Sequence, residues 1–405
     1  MDWGSLMLRW LHVITAIAWI GSSFFFMHLD ASLRPDADIP AGKGGAAWQV
    51  HGGGFYQMKK YFVAPETMPA EITWHKWQSY WTWISGFVLL CWVYYAQASL
   101  YLIDPAVMPL TTWQASLIGI AALALGWLVY DQLCKSPLGR NDVVLALLGF
   151  GFVVAMSYGF TKVFSGRGAL IHTGALMATM MTANVAMIIM PNQRKVIAAL
   201  ERGETPDPKY GKQAKQRSAH NNYITLPVVF IMLSNHYPMT YASGAHIPAL
   251  VTFVIVAGAV IRHFYNVRHA DHAKSPWWTW ALAAAALVAA FFVAVAGSPA
   301  GRARLGLAAL PDSPQAVAVA AAQPPAAVVD ILVSRCSMCH TAEPVWDGIA
   351  TPPKGIRLDT PEHMIRNAEA IRMQAVLTHA MPPNNLTDLP SDERAQLAAW
   401  LQPSR

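Results

Sequence analysis

The feature that most limits this chain is a series of long apolar runs. A helix that crosses a bilayer needs about 20 mostly apolar residues. Eight runs approach or exceed that length: 5–27, 77–101, 113–133, 142–163, 169–190, 223–240, 247–265 and 277–297. In hydrocarbon every backbone N–H and C=O must be satisfied within the segment, so such runs fold as helices. The sixth is the weakest, because Pro227 and Asn235 interrupt it. Charged residues make up only 13% of the chain, about half of the roughly 25% usual in soluble domains. The expected class is all-α: a polytopic membrane helix bundle of eight transmembrane helices over residues 1–297. The first run is too long for a cleavable signal peptide and no small-residue cleavage site follows it, so it is expected to be the first membrane helix.

A net charge of +6 raises the question of nucleic acid, and the distribution of charge answers it. The connection after the fifth run carries Arg194, Lys195, Arg202, Lys209, Lys212, Lys215 and Arg217, and the one after the first carries Arg34, Lys43, Lys59, Lys60 and Lys76. The connections after the second and sixth runs carry no basic residue. Positive charge collects on the cytoplasmic side of membrane proteins. The bias therefore predicts cytoplasmic odd-numbered loops, both termini on the outer side of a bacterial inner membrane, a lipid bilayer as solvent, and no nucleic acid partner.

Composition changes after the last run. Residues 298–327 are rich in Ala, Pro and Gly, which predicts a semi-flexible linker. From Val328 to Arg405 the chain reads as a small soluble domain. It contains S-R-C-S-M-C-H-T, and a C-x-x-C-H sequence is the attachment motif of c-type haem. Cys336 and Cys339 are expected to hold the haem covalently and His340 to ligate its iron. Met381, in A-M-P-P-N-N, is the expected second axial ligand, with His379 as a rival; a Met–His pair raises the potential of a haem. Ser391 is the expected N-cap of a last helix whose apolar stripe holds Leu397 and Trp400. Only Cys91 and Cys134 remain, both at apolar runs, so no disulfide framework is implied.

Ionisable residues within apolar runs are functional candidates. His12 lies in W-L-H-V-I-T-A-I-A-W-I-G and His172 at a similar depth in the fifth run. The W-L-H…W-I-G pattern resembles the opening helix of membrane families that bind b-type haem. Two histidines on different helices can clamp one haem, although polar residues in membranes also serve as interhelical hydrogen bonds. The first connection is long and contains V-H-G-G-G-F-Y-Q-M-K-K-Y. Its glycines permit close backbone approach, and its lysines and aromatic residues suit a flat anionic ring; a membrane-surface loop with interfacial aromatics is the plainer alternative. The sixth run opens with A-H-N-N-Y-I-T-L-P and closes with S-N-H-Y-P. Asn both donates and accepts, which suits amide edges, although helix capping by Asn221 or Asn222 accounts for the same residues.

Together, W-L-H-V-I-T-A-I-A-W-I-G, H-G-G-G-F-Y, S-A-H-N-N-Y-I-T-L-P-V-V-F-I-M-L-S-N-H-Y-P and the terminal C-S-M-C-H resemble the bacterial membrane-bound urate oxidase (urate hydroxylase) family with a C-terminal cytochrome c domain. The resemblance spans essentially the whole chain. It implies oxidation of urate to 5-hydroxyisourate in purine breakdown. Electrons would pass through the c-type haem to cytochrome c or a terminal oxidase of the respiratory chain, and no peroxide would form.

Urate is a planar anion, so its oxidation needs a cradle, a base and an electron exit. His75 or His220 is the expected general base, since a His pKa lies near neutrality. Lys59, Lys60, Asn221 and Asn222 are the expected contacts to the ring. A cytoplasmic urate site and an outer haem would be separated by a core about 30 Å thick, which calls for a redox centre between them, a haem b on His12 and His172. Two other functions use the same residues. A quinol-oxidising membrane cytochrome would need no long polar first loop. A transporter or anchor with a fused cytochrome would hold no internal redox centre.

Overall fold

The structure is a computed structural model. It describes residues 2–297 except 63, 64, 66, 67, 97, 105, 106, 242 and 272, residues 305 and 306, and residues 323–401 except 347, 348, 350, 351, 354, 355, 378–380 and 383–385. Most of the expected linker at 298–327, and His379, lie outside the described residues.

Among the described residues, six helices are long and apolar enough to cross a membrane. They correspond to α1 (Asp2–Ser32), α4 (Thr112–Lys135), α5 (Asp142–Thr161), α6 (Gly166–Ala183), α9 (Ile247–Ala270) and α10 (Trp278–Ala296). The α6 span continues through a π-helical segment, Asn184–Ile189, into α7 (Met190–Glu201). The second and sixth apolar runs are helical too, in a less regular way. α2 (Trp77–Leu89) passes into a π-helical segment, Leu90–Tyr95, with a short α3 (Ala98–Tyr101) after it. α8 (Pro208–Ser234) begins well before its apolar half, with the Asp207 carboxylate capping the N–H of Lys209. Asn221 and Asn222 are thus internal to α8 and do not cap it. Pro227 does not break this helix; its ring packs so closely on α9 that a Cβ at Gly258 would lie 2.5 Å from Pro227 Cδ.

α6 is the most buried of the six apolar spans. It packs against α4, α5 and α8, and Leu170, Leu176, Met177 and Met180 fill the core beside it. α1 packs on α2, α9 and α8, and α9 on α10. Large apolar side chains such as Ile17, Leu125, Leu147 and Phe291 stay exposed around the bundle. So extensive an apolar exterior is unusual for a protein in water and is consistent with a membrane protein.

The all-α expectation is corrected in the first connection. β1 (Gly44–His51) and β2 (Gly54–Tyr61) form an antiparallel hairpin in which His51 faces Gly54 and Gly44 faces Tyr61. Gly52 and Gly53 occupy the two turn positions with φ of +57° and +80°. A two-residue turn with both φ positive matches the twist of the strands it joins and selects glycine.

Residues 326–401 gather a second apolar core. α11 (Ala326–Arg335) contributes Val328, Ile331 and Leu332, and α14 (Ser391–Trp400) contributes Leu397 and Trp400. Between them lie α12 (Pro361–Arg366) and α13 (Ala368–Ile371), which runs into a π-helical segment, Arg372–Leu377. Ser391 is the first residue of α14, not its cap; Pro390 holds that position.

Candidate functional site

Two cavities lie along α1. The first, of about 420 Å³, is a partly open space lined mainly by α1, α2, α6 and α8. Its walls are largely apolar, and its polar lining includes Arg9, His12, Arg167, Asn235 and His236, with no carboxylate. The second, of about 470 Å³, lies between α1, α8 and α9 and is lined by Phe24, Phe25, His28, Arg262, Tyr265 and His269 among others. Ile20 borders the first cavity and Phe24, one turn on, the second; Thr225 and Leu226 divide in the same way on α8. The two spaces therefore follow one another along the bundle.

Arg262 is the charged centre of the second cavity. It is buried, its guanidinium lies 3.8 Å from the Phe24 ring centroid, and its Nε donates to Asn222 Oδ1 at 3.2 Å. Asn266 Nδ2 donates to the same oxygen at 3.2 Å. Asn222 Nδ2 and His28 Nδ1 are buried polar atoms without a hydrogen-bond partner among the described residues. Such orphans are rare in native proteins and mark places where a ligand or water completes the bonding. The His28 and His269 rings meet edge to face at 4.3 Å. A cation on aromatic walls, backed by an amide, suits a planar anion with amide edges.

The other residues expected from sequence are distributed differently. Asn221 is turned from this cavity into a buried polar network: its Nδ2 donates to the Met181 carbonyl at 2.9 Å and its Oδ1 accepts from Asn184 Nδ2 at 3.0 Å. His220 joins the same network through Tyr130, whose hydroxyl lies 2.6 Å from His220 Nδ1. Arg217 and Asp131 anchor it with a fully buried ion pair at 2.7 Å. His75 is exposed and stands edge-on to Phe26 at 4.9 Å. Lys59 pairs with Asp36 and Asp38, and Lys60 with Asp30, so both lysines are neutralised at the hairpin. Asn222 thus stands behind Arg262 at the second cavity, while His75, His220, Lys59, Lys60 and Asn221 line neither cavity. Arg262, Asp131 and Arg217 carry a signal that sequence reasoning passed over, since each is an ionisable residue in or beside an apolar run.

His12 lines the first cavity and His172 does not. His172 is completely buried, with Nδ1 2.8 Å from the Gly168 carbonyl and Nε2 3.1 Å from the Tyr95 hydroxyl. Both ring nitrogens are engaged, and neither is left for a metal.

The C-terminal motif follows α11. Cys336 and Cys339 are free, and burial pushes the Cys336 thiol up to about 12. His340 Nδ1 lies 2.9 Å from the Ile356 carbonyl, so its N–H points there and Nε2 keeps its lone pair. Met381 is half-buried, and its carbonyl accepts from Arg394 at 3.0 Å. Trp400 Nε1 and Thr387 Oγ1 are buried without a partner among the described residues. The tautomer fixed by the Ile356 carbonyl leaves His340 Nε2 open, next to two cysteines, an arrangement that fits a covalently attached haem.

Residues 1–295 match the family model described as urate oxidase N-terminal. The chain belongs to that family. Membership points to urate-related oxidation and to an oxidoreductase. No curated protein and no solved structure matches the chain.

Proposed function

We propose that this protein is a membrane-bound urate hydroxylase that converts urate to 5-hydroxyisourate and delivers the electrons to the respiratory chain through a C-terminal c-type haem. The family match over residues 1–295 carries the reading. The reaction consumes urate and one water and yields 5-hydroxyisourate, two protons and two electrons. Oxygen is not a reactant, so no peroxide forms.

In this proposal urate binds in the second cavity. Arg262 meets its negative charge, with Asn222 holding the guanidinium in place, and Phe24 and Tyr265 flank the ring. His28, with a free Nδ1 on the lining, takes the role of general base in place of His75 and His220. Cys336 and Cys339 would hold a haem through thioether bonds, with His340 Nε2 and Met381 as its iron ligands, and the group would supply one-electron chemistry there. Two further helical segments, α2 and α8, complete eight spans in the membrane, with the odd loops cytoplasmic and residues 328–405 on the periplasmic side.

The test uses purified full-length protein without oxygen. Addition of urate reduces the covalent haem, and with cytochrome c as acceptor turnover releases no stoichiometric peroxide. Arg262→Gln abolishes reduction by urate while dithionite still reduces the haem. Reduction by a quinol but not by urate overturns the proposal in favour of a quinol-oxidising cytochrome.

A further inference from the structure

We propose that the first cavity holds a second, non-covalent haem, ligated by His12 and His236, with Arg9 and Arg167 as partners of its propionates. This deepens the electron route proposed above, but its test reads haem content and does not depend on urate.

The two histidines share one preparation. His12 Nδ1 lies 3.0 Å from the Thr82 carbonyl and 3.1 Å from Ser85 Oγ. His236 Nδ1 lies 3.3 Å from the Leu233 carbonyl. A carbonyl accepts only, so in both rings the proton sits on Nδ1 and the lone pair on Nε2. That is how histidines are oriented as metal ligands: the far nitrogen is tied to a backbone oxygen and the near one is left to the metal. Neither Nε2 has a hydrogen bond among the described residues, in contrast to His172. Gly86 holds the His12 ring in place, since a Cβ there would lie 2.7 Å from His12 Cε1.

Charge points the same way. Arg9 Nε donates to Ser5 Oγ at 3.3 Å, and Arg167 Nε donates to the Tyr94 hydroxyl at 3.2 Å. Both partners are neutral. Among the described lining residues there are two guanidinium groups, the exposed Arg9 and the half-buried Arg167, and no carboxylate, which suits a ligand with negative charge at this end. Most of the rest of the lining, including Trp19, Trp83 and Phe87, is apolar. A flat apolar macrocycle with two carboxylates and an iron would use the apolar walls, both histidines and both arginines. A quinone or a lipid chain uses the apolar walls but neither the paired lone pairs nor the paired arginines.

The position is also right for a carrier. Arg9 and Phe24 are separated on α1 by 15 residues, about 22 Å at 1.5 Å per residue, so the first cavity spans the distance from the second toward the far end of the bundle. There Arg167 lies 4.8 Å from the Tyr101 ring, and Asp104 just beyond pairs with Arg372 of the C-terminal unit at 3.2 Å. No bond is made or broken at such a centre. One electron enters from the second cavity and one leaves toward the covalent haem.

The experiment is acid–acetone extraction of the purified full-length protein, with pyridine haemochrome spectra of extract and residue. Protohaem appears in the extract in an amount equal to the covalent haem in the residue. His12→Ala and His236→Ala each lower the extractable haem at least about tenfold, the scale on which metal sites respond to their supporting bonds, and the covalent haem remains as the control for folding. Gly86→Val, which displaces the His12 ring without removing it, lowers or spectrally shifts the extractable haem. His172→Gln leaves it in place. An extract with no haem, or with quinone in its place, overturns the proposal, as does full haem in His236→Ala or its loss in His172→Gln alone.

Discussion

Asp359 fixes the loop that carries His340, the proposed iron ligand. Its carboxylate accepts from Arg357 at 2.7 Å, from His363 at 2.6 Å and from Thr341 at 3.2 Å, and the neighbouring Leu358 N–H donates to the His340 carbonyl at 2.7 Å. The Arg357 guanidinium, followed by the His363 and Thr341 bonds, holds the carboxyl well below its ordinary value of 3.8. A depressed folded-state pKa stabilises the fold above the unfolded value, and that stability is lost as pH falls through the depressed one. Thermal melts of the C-terminal unit below about pH 4 are therefore expected to show an acid loss that Asp359→Asn lacks, the variant being less stable at neutral pH. Asp131 makes a second residue-scale prediction. Its pair with Arg217 is 3% exposed on both sides, so Asp131→Asn leaves a buried guanidinium without its anion. A loss of about 3–5 kcal/mol is expected from detergent melts, and Asp131→Leu with Arg217→Met is expected to recover much of it. The sequence made such residues visible as types. It did not reveal which histidine keeps a lone pair: His12 and His172 look alike as letters, each with a carbonyl at Nδ1, and the Tyr95 hydroxyl at His172 Nε2 separates them.

At the level of elements, the apolar runs foretold helices closely. The run 113–133 became Thr112–Lys135 and the run 277–297 became Trp278–Ala296, because a segment without polar side chains has no other way to satisfy its backbone. Less regular elements were harder to see. The π-helical segments at Leu90–Tyr95 and Asn184–Ile189 have no compositional marker. The hairpin did have one, a Gly-Gly pair between two strand-like runs, but the glycines suggested ligand approach instead. With φ of +80° at Gly53, Gly53→Val forces a β-branched residue into a left-handed turn, at a cost of about 1–2 kcal/mol. Limited proteolysis at the hairpin is expected to quicken, with the KM for urate unchanged because the turn lines neither cavity. A many-fold rise in KM with the hairpin still protected would return the first loop to the substrate site.

At the scale of the whole molecule, the proposed route asks electrons to pass from the bundle to the C-terminal unit. The contact between the two parts is small and polar. Arg372 reaches Asp104 at 3.2 Å, with side-chain exposures of 23% and 13%, and Glu369 stands 3.7 Å from the same guanidinium. Behind this pair Arg394 donates to the Met381 carbonyl at 3.0 Å and lies within electrostatic reach of both Cys336 and Tyr101. The face that meets the bundle is thus the face that carries the haem motif, and Tyr101 connects it to Arg167 at the first cavity. A partly exposed pair of this kind contributes about 1 kcal/mol, enough to set the docked fraction but not to hold the fold. Arg372→Glu places a second anion against Asp104, so the docked population falls on the order of fivefold for each ~1 kcal/mol lost. Single-turnover reduction of the covalent haem by urate is expected to slow in proportion, while reduction by dithionite keeps its rate. Added salt is expected to slow the wild type toward the variant, because the Debye length shrinks to about 3 Å at 1 M. Exchange of the charges, Arg372→Asp with Asp104→Arg, is expected to restore the rate. If the single variant transfers electrons as fast as the wild type at low salt, the two parts dock through another surface, and the polar path from Arg167 through Tyr101 is not the one the electrons follow.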